Sequence, residues 1–104
     1  MRIVNDSETP ASWFCYNSND AVKLIALHSG DFSAKGGSAA YYPPDPKGNY
    51  YVSFTRKGGN FDARQNFGNA TVWADEIVTL SGSPGNYEVR VSPSGGPGRG
   101  YEVG

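Results

Sequence analysis

The chain has 104 residues, with 14 glycines, 7 prolines and 14 aromatic residues, whereas Leu, Ile, Val and Phe together number only 19. This length excludes a second domain, and the lack of any apolar run near ~18 residues excludes a membrane-spanning helix. Nine basic against ten acidic residues exclude the positive surface that binds nucleic acid or an anionic membrane. The low net charge and the aromatic content predict an ordered domain despite the scarce aliphatic residues.

Residues that form turns interrupt the chain every eight to twelve positions, a spacing typical of all-β sandwiches and barrels. The predicted strands are 2–5, 11–16, 22–27, 39–42, 50–56, 60–67, 70–80 and 87–91. Alternation of apolar and polar residues in 50–56 and 87–91 indicates half-buried antiparallel strands. We therefore predict that residues 1–104 form a single all-β domain, a two-sheet antiparallel β-sandwich in which tyrosine and tryptophan complete the core.

The first third of the chain holds the only cysteine, Cys15, and the only histidine, His28. A single cysteine excludes an internal disulfide and a cysteine metal cluster. Trp13, Phe14, Cys15 and Tyr16 form the densest aromatic cluster and are predicted to be core residues. His28 follows a hydrophobic segment and is predicted to end an edge strand rather than to act as a ligand or a base. The first twenty residues do not resemble a secretory signal, which predicts a mature chain or another route of export.

A proline-rich loop at 43–48 cannot be a central strand, because three prolines remove backbone donors. It is predicted to be a stiff surface connection. The tyrosines beside it, Tyr41, Tyr42, Tyr50 and Tyr51, fit either a platform for a sugar or core positions whose phenols reach a polar partner. The Gly/Pro-rich segment 93–100 is predicted to be flexible.

The most informative pattern is a predicted hairpin in which Gly68-Asn69 forms a two-residue turn between strands 60–67 and 70–80. This register pairs Phe67 with Ala70 and sorts the side chains onto two faces. One face is mostly apolar and is assigned to the core. The other face carries Asn60, Asp62, Arg64 and Asn66, opposite Ile77, Asp75, Trp73 and Thr71 respectively.

The polar face of this hairpin suits a saccharide. Amide, carboxylate and guanidinium groups offer paired donors and acceptors to hydroxyl groups, and the Trp73 ring offers an apolar surface to the C–H face of a sugar. The alternative is a solvated face on which Arg64 stacks on Trp73 as a cross-strand pair worth less than about 1 kcal/mol. The candidate carbohydrate-binding residues are Asn60, Asp62, Arg64, Asn66, Trp73 and Glu76. Because strict alternation points Glu76 inward, a β-bulge near Asp75 or a position at the rim of the core is predicted.

Asp62 and Asp75 face each other in this register, which is destabilising unless something compensates. Arg64 can lean between the two carboxylates, or both can ligate a calcium ion. A third reading is a retaining glycosidase, whose carboxylates lie about 5 Å apart. A domain this small has little surface for a cleft, and nothing marks one carboxyl as buried and protonated. We therefore predict a binding protein and not an enzyme, with no required cofactor and calcium as the candidate metal.

Two segments of the hairpin resemble the galectin site. Trp73-Ala74-Asp75-Glu76 is similar to the Trp-x-x-Glu element that stacks galactose and holds its hydroxyls. Asn60-Phe61-Asp62-Ala63-Arg64 is similar to the His-x-Asn-x-Arg strand of galectins, with Asn60 at the His position, Asp62 at the Asn position and Arg64 retained. Two of the three strand positions are substituted, so the resemblance implies a glycan ligand and not a particular sugar.

In length, glycine content, aromatic content and this hairpin, the whole chain resembles the slime-mould hemagglutinin lectins, compact relatives of the legume-lectin-like, galectin-like and concanavalin-like β-sandwiches. The resemblance implies a secreted, extracellular lectin that binds glycans of glycoproteins on cell surfaces. It also implies cell agglutination, which requires weak homo-oligomer formation or a second site.

A second resemblance leads to a different function. Residues 61–68 and Asp75-Glu76-Ile77-Val78-Thr79 are similar to the aromatic-glycine hairpin and the calcium segment of βγ-crystallin domains. This resemblance implies a structural domain that binds calcium through Asp62 and Asp75. Asn5-Asp6-Ser7 and Asn69-Ala70-Thr71 are sequons for N-glycosylation, of a kind that also occurs by chance.

Overall fold

The computed structural model describes residues 1–17, 26–59 and 67–93. Within these ranges the chain forms eight strands and no helix. The strands are β1 (Arg2–Ser7), β2 (Ala11–Asn17), β3 (His28–Phe32), β4 (Gly37–Ala40), β5 (Asn49–Arg56), β6 (Gly68–Trp73), β7 (Ile77–Ser83) and β8 (Asn86–Ser92). They build two four-stranded sheets, which confirms the predicted all-β, two-sheet fold. The described segments include no helix that could cross a membrane.

Sheet A has the strand order β4-β1-β7-β8. β1 is antiparallel to β4 but parallel to β7, with Arg2 opposite Ile77. β7 and β8 form an antiparallel hairpin. The parallel pair differs from the wholly antiparallel prediction. Parallel neighbours need a long crossover between them, and here the strands of sheet B lie between β1 and β7 along the chain.

Sheet B has the order β3-β2-β5-β6, and its neighbours are all antiparallel. β3 was not among the predicted strands, because Ser29, Gly30 and Asp31 show no apolar alternation. His28 begins this edge strand and does not end one. Of the predicted strand 22–27, only Ala26 and Leu27 are described, and neither belongs to a strand.

The core lies between the two sheets and follows the period-two alternation of their strands. Its most deeply buried apolar side chains are Ile3, Val78 and Leu80 from sheet A and Cys15, Val52 and Phe54 from sheet B. Aromatic residues fill the remaining space: the Phe32 and Phe54 rings stack at 6.1 Å, and the Phe67 and Tyr87 rings at 4.3 Å. Trp13 and Tyr50 also belong to the core, each 2 % exposed, as predicted for tryptophan and tyrosine.

The predicted aromatic core cluster divides between the two faces of β2. Trp13 and Cys15 point between the sheets, whereas Phe14 and Tyr16 lie on the outer face of sheet B, their rings 6.5 Å apart. Phe14 is half-buried and Tyr16 is 2 % exposed. The outer face of sheet B is therefore not an open surface along β2.

Asn5 is a fully buried polar residue on the inner face of β1. Its Nδ2 donates to the carbonyls of Thr9 at 2.8 Å and Ser33 at 3.1 Å. Its Oδ1 accepts from Ser7 N at 3.0 Å and from Ser7 Oγ at 2.5 Å. The amide thus holds the loops that contain Thr9 and Ser33 against sheet A. Because the Asn5 side chain is buried, it cannot carry a glycan. Asn69 of the second sequon is exposed.

The predicted hairpin turn at Gly68-Asn69 is wrong. Both residues belong to β6, where Gly68 pairs with Phe54 of β5, and Phe67 N donates to Phe54 O at 2.7 Å. Gly68 serves a close contact and not a turn, because a Cβ there would lie 2.6 Å from Val89 Cγ2. The predicted partner strand 60–67 lies outside the described residues apart from Phe67.

The predicted strand 70–80 is two strands. β6 ends at Trp73 in sheet B and β7 begins at Ile77 in sheet A. Trp73 and Thr71 share the outer face of β6, as predicted, but Asp75 lies in the turn between the sheets. The predicted flexible segment 93–100 lies outside the described residues apart from Pro93.

Candidate functional site

A pocket of about 380 Å³ opens at the end of the sandwich where β1 and β7 begin. Three parts of the protein build the pocket. They are one end of sheet A, the proline-rich loop, and the turn between β6 and β7. Its lining consists of Met1, Arg2, Ala40, Tyr42, Pro43, Pro46, Ala74, Asp75, Glu76 and Ile77. A volume of this size falls in the range of small-molecule sites in proteins.

One wall of the pocket is a row of three residues across sheet A. Arg2 stands opposite Ala40 of β4 on one side and Ile77 of β7 on the other. Residues opposite each other in a sheet project on the same side, so the apolar side chains of Ala40 and Ile77 flank Arg2. The backbone continues the ladder, because Arg2 N donates to Glu76 O at 3.1 Å.

The proline-rich loop forms a second wall and is tied to the core by Tyr50. The Tyr50 hydroxyl accepts from Asp45 N at 2.9 Å and donates to Asp45 O at 3.1 Å. Asp45 Oδ1 also accepts from Lys47 N at 3.0 Å. These bonds anchor the loop to Tyr50 and close a turn within it. Tyr50, only 2 % exposed, fits the core reading with a satisfied phenol.

Tyr42 precedes this loop and is 86 % exposed. It lines the pocket but has almost its whole ring in solvent. The exposed ring offers a flat apolar face to a ligand or a partner. Of the tyrosines beside the loop, Tyr42 therefore has the exposure expected of a platform residue.

The third wall is the turn that joins the two sheets. Glu76 Oε1 accepts from Trp73 N at 2.7 Å, and Glu76 N donates to Trp73 O at 3.1 Å. Ala74 N donates to Gly48 O at 3.0 Å, which links the turn to the proline-rich loop. Glu76 is 8 % exposed, at the rim of the core as predicted, while Trp73 is 49 % exposed. One function of the Glu76 carboxylate is thus to fix the turn below Trp73.

We expect Glu76→Ala to lower the free energy of unfolding by about 1–2 kcal/mol, because Trp73 N loses its charged acceptor. Glu76→Gln keeps a carbonyl oxygen at the same distance and should cost less than half as much. Urea denaturation of both variants measures the difference. Equal losses in the two variants would contradict the assigned hydrogen bond.

Of the six sequence-predicted binding residues, Trp73 and Glu76 are joined by a hydrogen bond, but only Glu76 lines the pocket. The other four lie outside the described residues and stay predictions: Asn60, Asp62, Arg64 and Asn66. The sequence offered no signal for Arg2, whose place at the pocket depends on the pairing of β1 with β7. Asp75, predicted to face Asp62, lines the pocket, and its position relative to Asp62 stays a prediction.

The described residues contain no group of three or more His, Cys, Asp or Glu side chains placed to hold a metal ion. Because Asp62 lies outside them, the predicted calcium site on Asp62 and Asp75 stays a prediction.

Two further groups near this end of the core have shifted pKa values. Burial raises the pKa of the Cys15 thiol to about 12, so Cys15 is protonated at neutral pH and has no nucleophilic character. Burial also raises the pKa of the Tyr41 phenol.

The His28 ring stacks on Tyr41, with the ring centroids 5.0 Å apart, and its centroid lies 5.5 Å from that of Trp13. This packing agrees with the predicted edge position of His28.

Comparisons of the chain with family models, with curated proteins and with solved structures give no match.

Proposed function

We propose that the protein is a lectin that binds glycans of glycoproteins or cell surfaces at this pocket, without catalysing a reaction on them. The observation that carries the proposal is the exposed Tyr42 ring at a pocket whose lining includes the charged residues Arg2, Asp75 and Glu76. Sugars present both hydroxyl groups, which need charged or polar partners, and C–H faces, which pack on aromatic rings.

The rigidity of the pocket supports the same proposal. Tyr50 holds the loop that follows Tyr42, and Glu76 holds the turn that carries Trp73. A site whose walls are fixed before binding loses less conformational entropy when the ligand arrives. This matters for small sugars, which offer few contacts to offset that loss.

A glycan array, followed by titration calorimetry with the best ligand, tests the proposal. Tyr42→Ala and Trp73→Ala change exposed residues and should leave the fold intact. We expect Tyr42→Ala to weaken binding about tenfold, the worth of an aromatic contact. Trp73 does not line the pocket, so Trp73→Ala tests the site predicted from the sequence. Asn86→Ala is the control, since Asn86 lies at the far end of sheet A, about 20 Å along β8 from Ser92.

The outcome also separates the pocket from the predicted strand 60–67. Loss of binding in Tyr42→Ala with full binding in Arg64→Ala assigns the glycan to the pocket. The opposite result assigns it to the strand predicted from the sequence. Unchanged binding in Tyr42→Ala, Trp73→Ala and Arg64→Ala together would overturn the proposed site.

The proposal includes the secreted, extracellular location and the cell-adhesive role that the lectin resemblance implies. Agglutination by one pocket per chain requires self-association or a second site. Analytical ultracentrifugation of the protein without ligand distinguishes these two routes, because only self-association produces a dimer or larger species there.

A further inference from the structure

The walls of the pocket differ in chemistry from those expected for a plain hexose. Apolar side chains make up most of the lining, namely Met1, Ala40, Pro43, Pro46, Ala74 and Ile77. An unsubstituted hexose carries hydroxyl groups around its whole ring. Hydroxyls placed against apolar walls lose hydration without gaining a partner, which is unfavourable. A ligand that fills this pocket therefore needs an apolar part of its own.

The polar groups of the pocket lie next to these apolar walls. Arg2 stands between Ala40 and Ile77 in the sheet register, so donor groups and apolar groups alternate within one row. Asp75 and Glu76 supply carboxylate acceptors on the adjoining turn. The pocket thus offers a donor, an acceptor and an apolar surface close to one another.

From this juxtaposition we infer that the pocket takes an acetamido sugar, an N-acetylhexosamine residue of a glycan. This inference rests on the proposed lectin function. An acetamido group carries a carbonyl oxygen for Arg2, an N–H for a carboxylate and a methyl group for the Ala40 and Ile77 walls, all within three bonds. The sugar ring itself remains at the mouth of the pocket, where Tyr42 is exposed.

Titration calorimetry with four methyl glycosides tests the inference: those of N-acetylglucosamine, N-acetylgalactosamine, glucose and galactose. We expect at least one acetamido sugar to bind about tenfold more tightly than the hexose of the same configuration, since a small apolar group in a fitted pocket contributes that much. Equal affinity within each pair would overturn the inference and leave the lectin proposal standing. Absence of binding by all four, together with an empty glycan array, would overturn both.

Variants of the apolar wall locate the acetyl group. Ile77→Thr keeps a β-branched residue in the strand and removes apolar surface from the pocket, so it should lower the ratio of acetamido-sugar affinity to hexose affinity. Ala40→Ser is a second, smaller change of the same kind. Val4→Thr is the matched control, because Val4 shares a face of β1 with Arg2 but does not line the pocket. An unchanged preference in both wall variants, or an equal loss in Val4→Thr, would contradict the assignment.

Discussion

Replacement of Asn5 by alanine is expected to lower the free energy of unfolding by about 3 kcal/mol. The substitution removes all four hydrogen bonds of the Asn5 amide and leaves the carbonyls of Thr9 and Ser33 without this donor inside the protein. A buried polar group that loses its partner costs about 1–3 kcal/mol. In a domain of this size the melting temperature should fall by about 10–20 °C.

The second sequon provides the matched control. Asn69→Ala removes the same amide from an exposed position in β6, where the change should stay within about 0.5 kcal/mol. Thermal unfolding followed by circular dichroism measures both variants. A small loss in Asn5→Ala, close to that of Asn69→Ala, would show that the buried network contributes little to stability.

Gly82→Ala is expected to be still more damaging, with a loss of about 3–5 kcal/mol. Gly82 has a φ of +99°, which an alanine adopts only with strain, and a Cβ there would lie 2.2 Å from Asn86 O. Asn86 O belongs to the backbone of β8, so this oxygen cannot rotate away from the added Cβ as a side-chain atom could. Relief of the contact requires the end of the β7–β8 hairpin to open.

Gly85 separates the strain from the contact. It lies in the same hairpin with a φ of +84°, but a Cβ at Gly85 meets nothing within 4 Å. Gly85→Ala should therefore cost only the backbone strain, about 1–2 kcal/mol. Urea denaturation of the two variants gives the difference. If Gly85→Ala is as destabilising as Gly82→Ala, the approach of Asn86 O is not the cause.

The parts of the fold that the sequence predicts well are those whose pattern is local. β5 and β8 show the period of two within a single segment, and both form close to their predicted positions. The turn at Ala74-Asp75, which separates β6 from β7, is different. Neither residue is a glycine or a proline, so no turn-forming residue marks it. The turn is closed by the side chain of Glu76. The inward register of Glu76 predicted an irregularity at this point but not the passage of the chain from one sheet to the other.

The error at Gly68-Asn69 has a similar origin. A glycine before an asparagine suits a two-residue turn. A glycine is also the residue that permits two segments of one chain to approach closely. The partner at Gly68 is Val89, which lies 21 positions further along the chain. A contact of that kind is invisible until the packing of β6 and β8 is known.

For the candidate site, Trp73 and Glu76 were predicted from one short segment that resembles a galectin element, and of the two only Glu76 lines the pocket. The pocket was not predicted, because its lining comes from three distant parts of the chain. Arg2, Tyr42 and Glu76 meet only through the pairing of β1 with β4 and β7. Sequence alone identifies the chemistry of such residues but not their neighbours.

The parallel pairing of β1 with β7 has a consequence for how the protein is made. Arg2 and its partner Ile77 are 75 residues apart in the chain, so β1 lacks this neighbour until β7 has left the ribosome. Sheet folds dominated by such distant pairs form slowly, in milliseconds to seconds. The pocket wall that contains Arg2 and Ile77 is accordingly completed only after translation has passed β7.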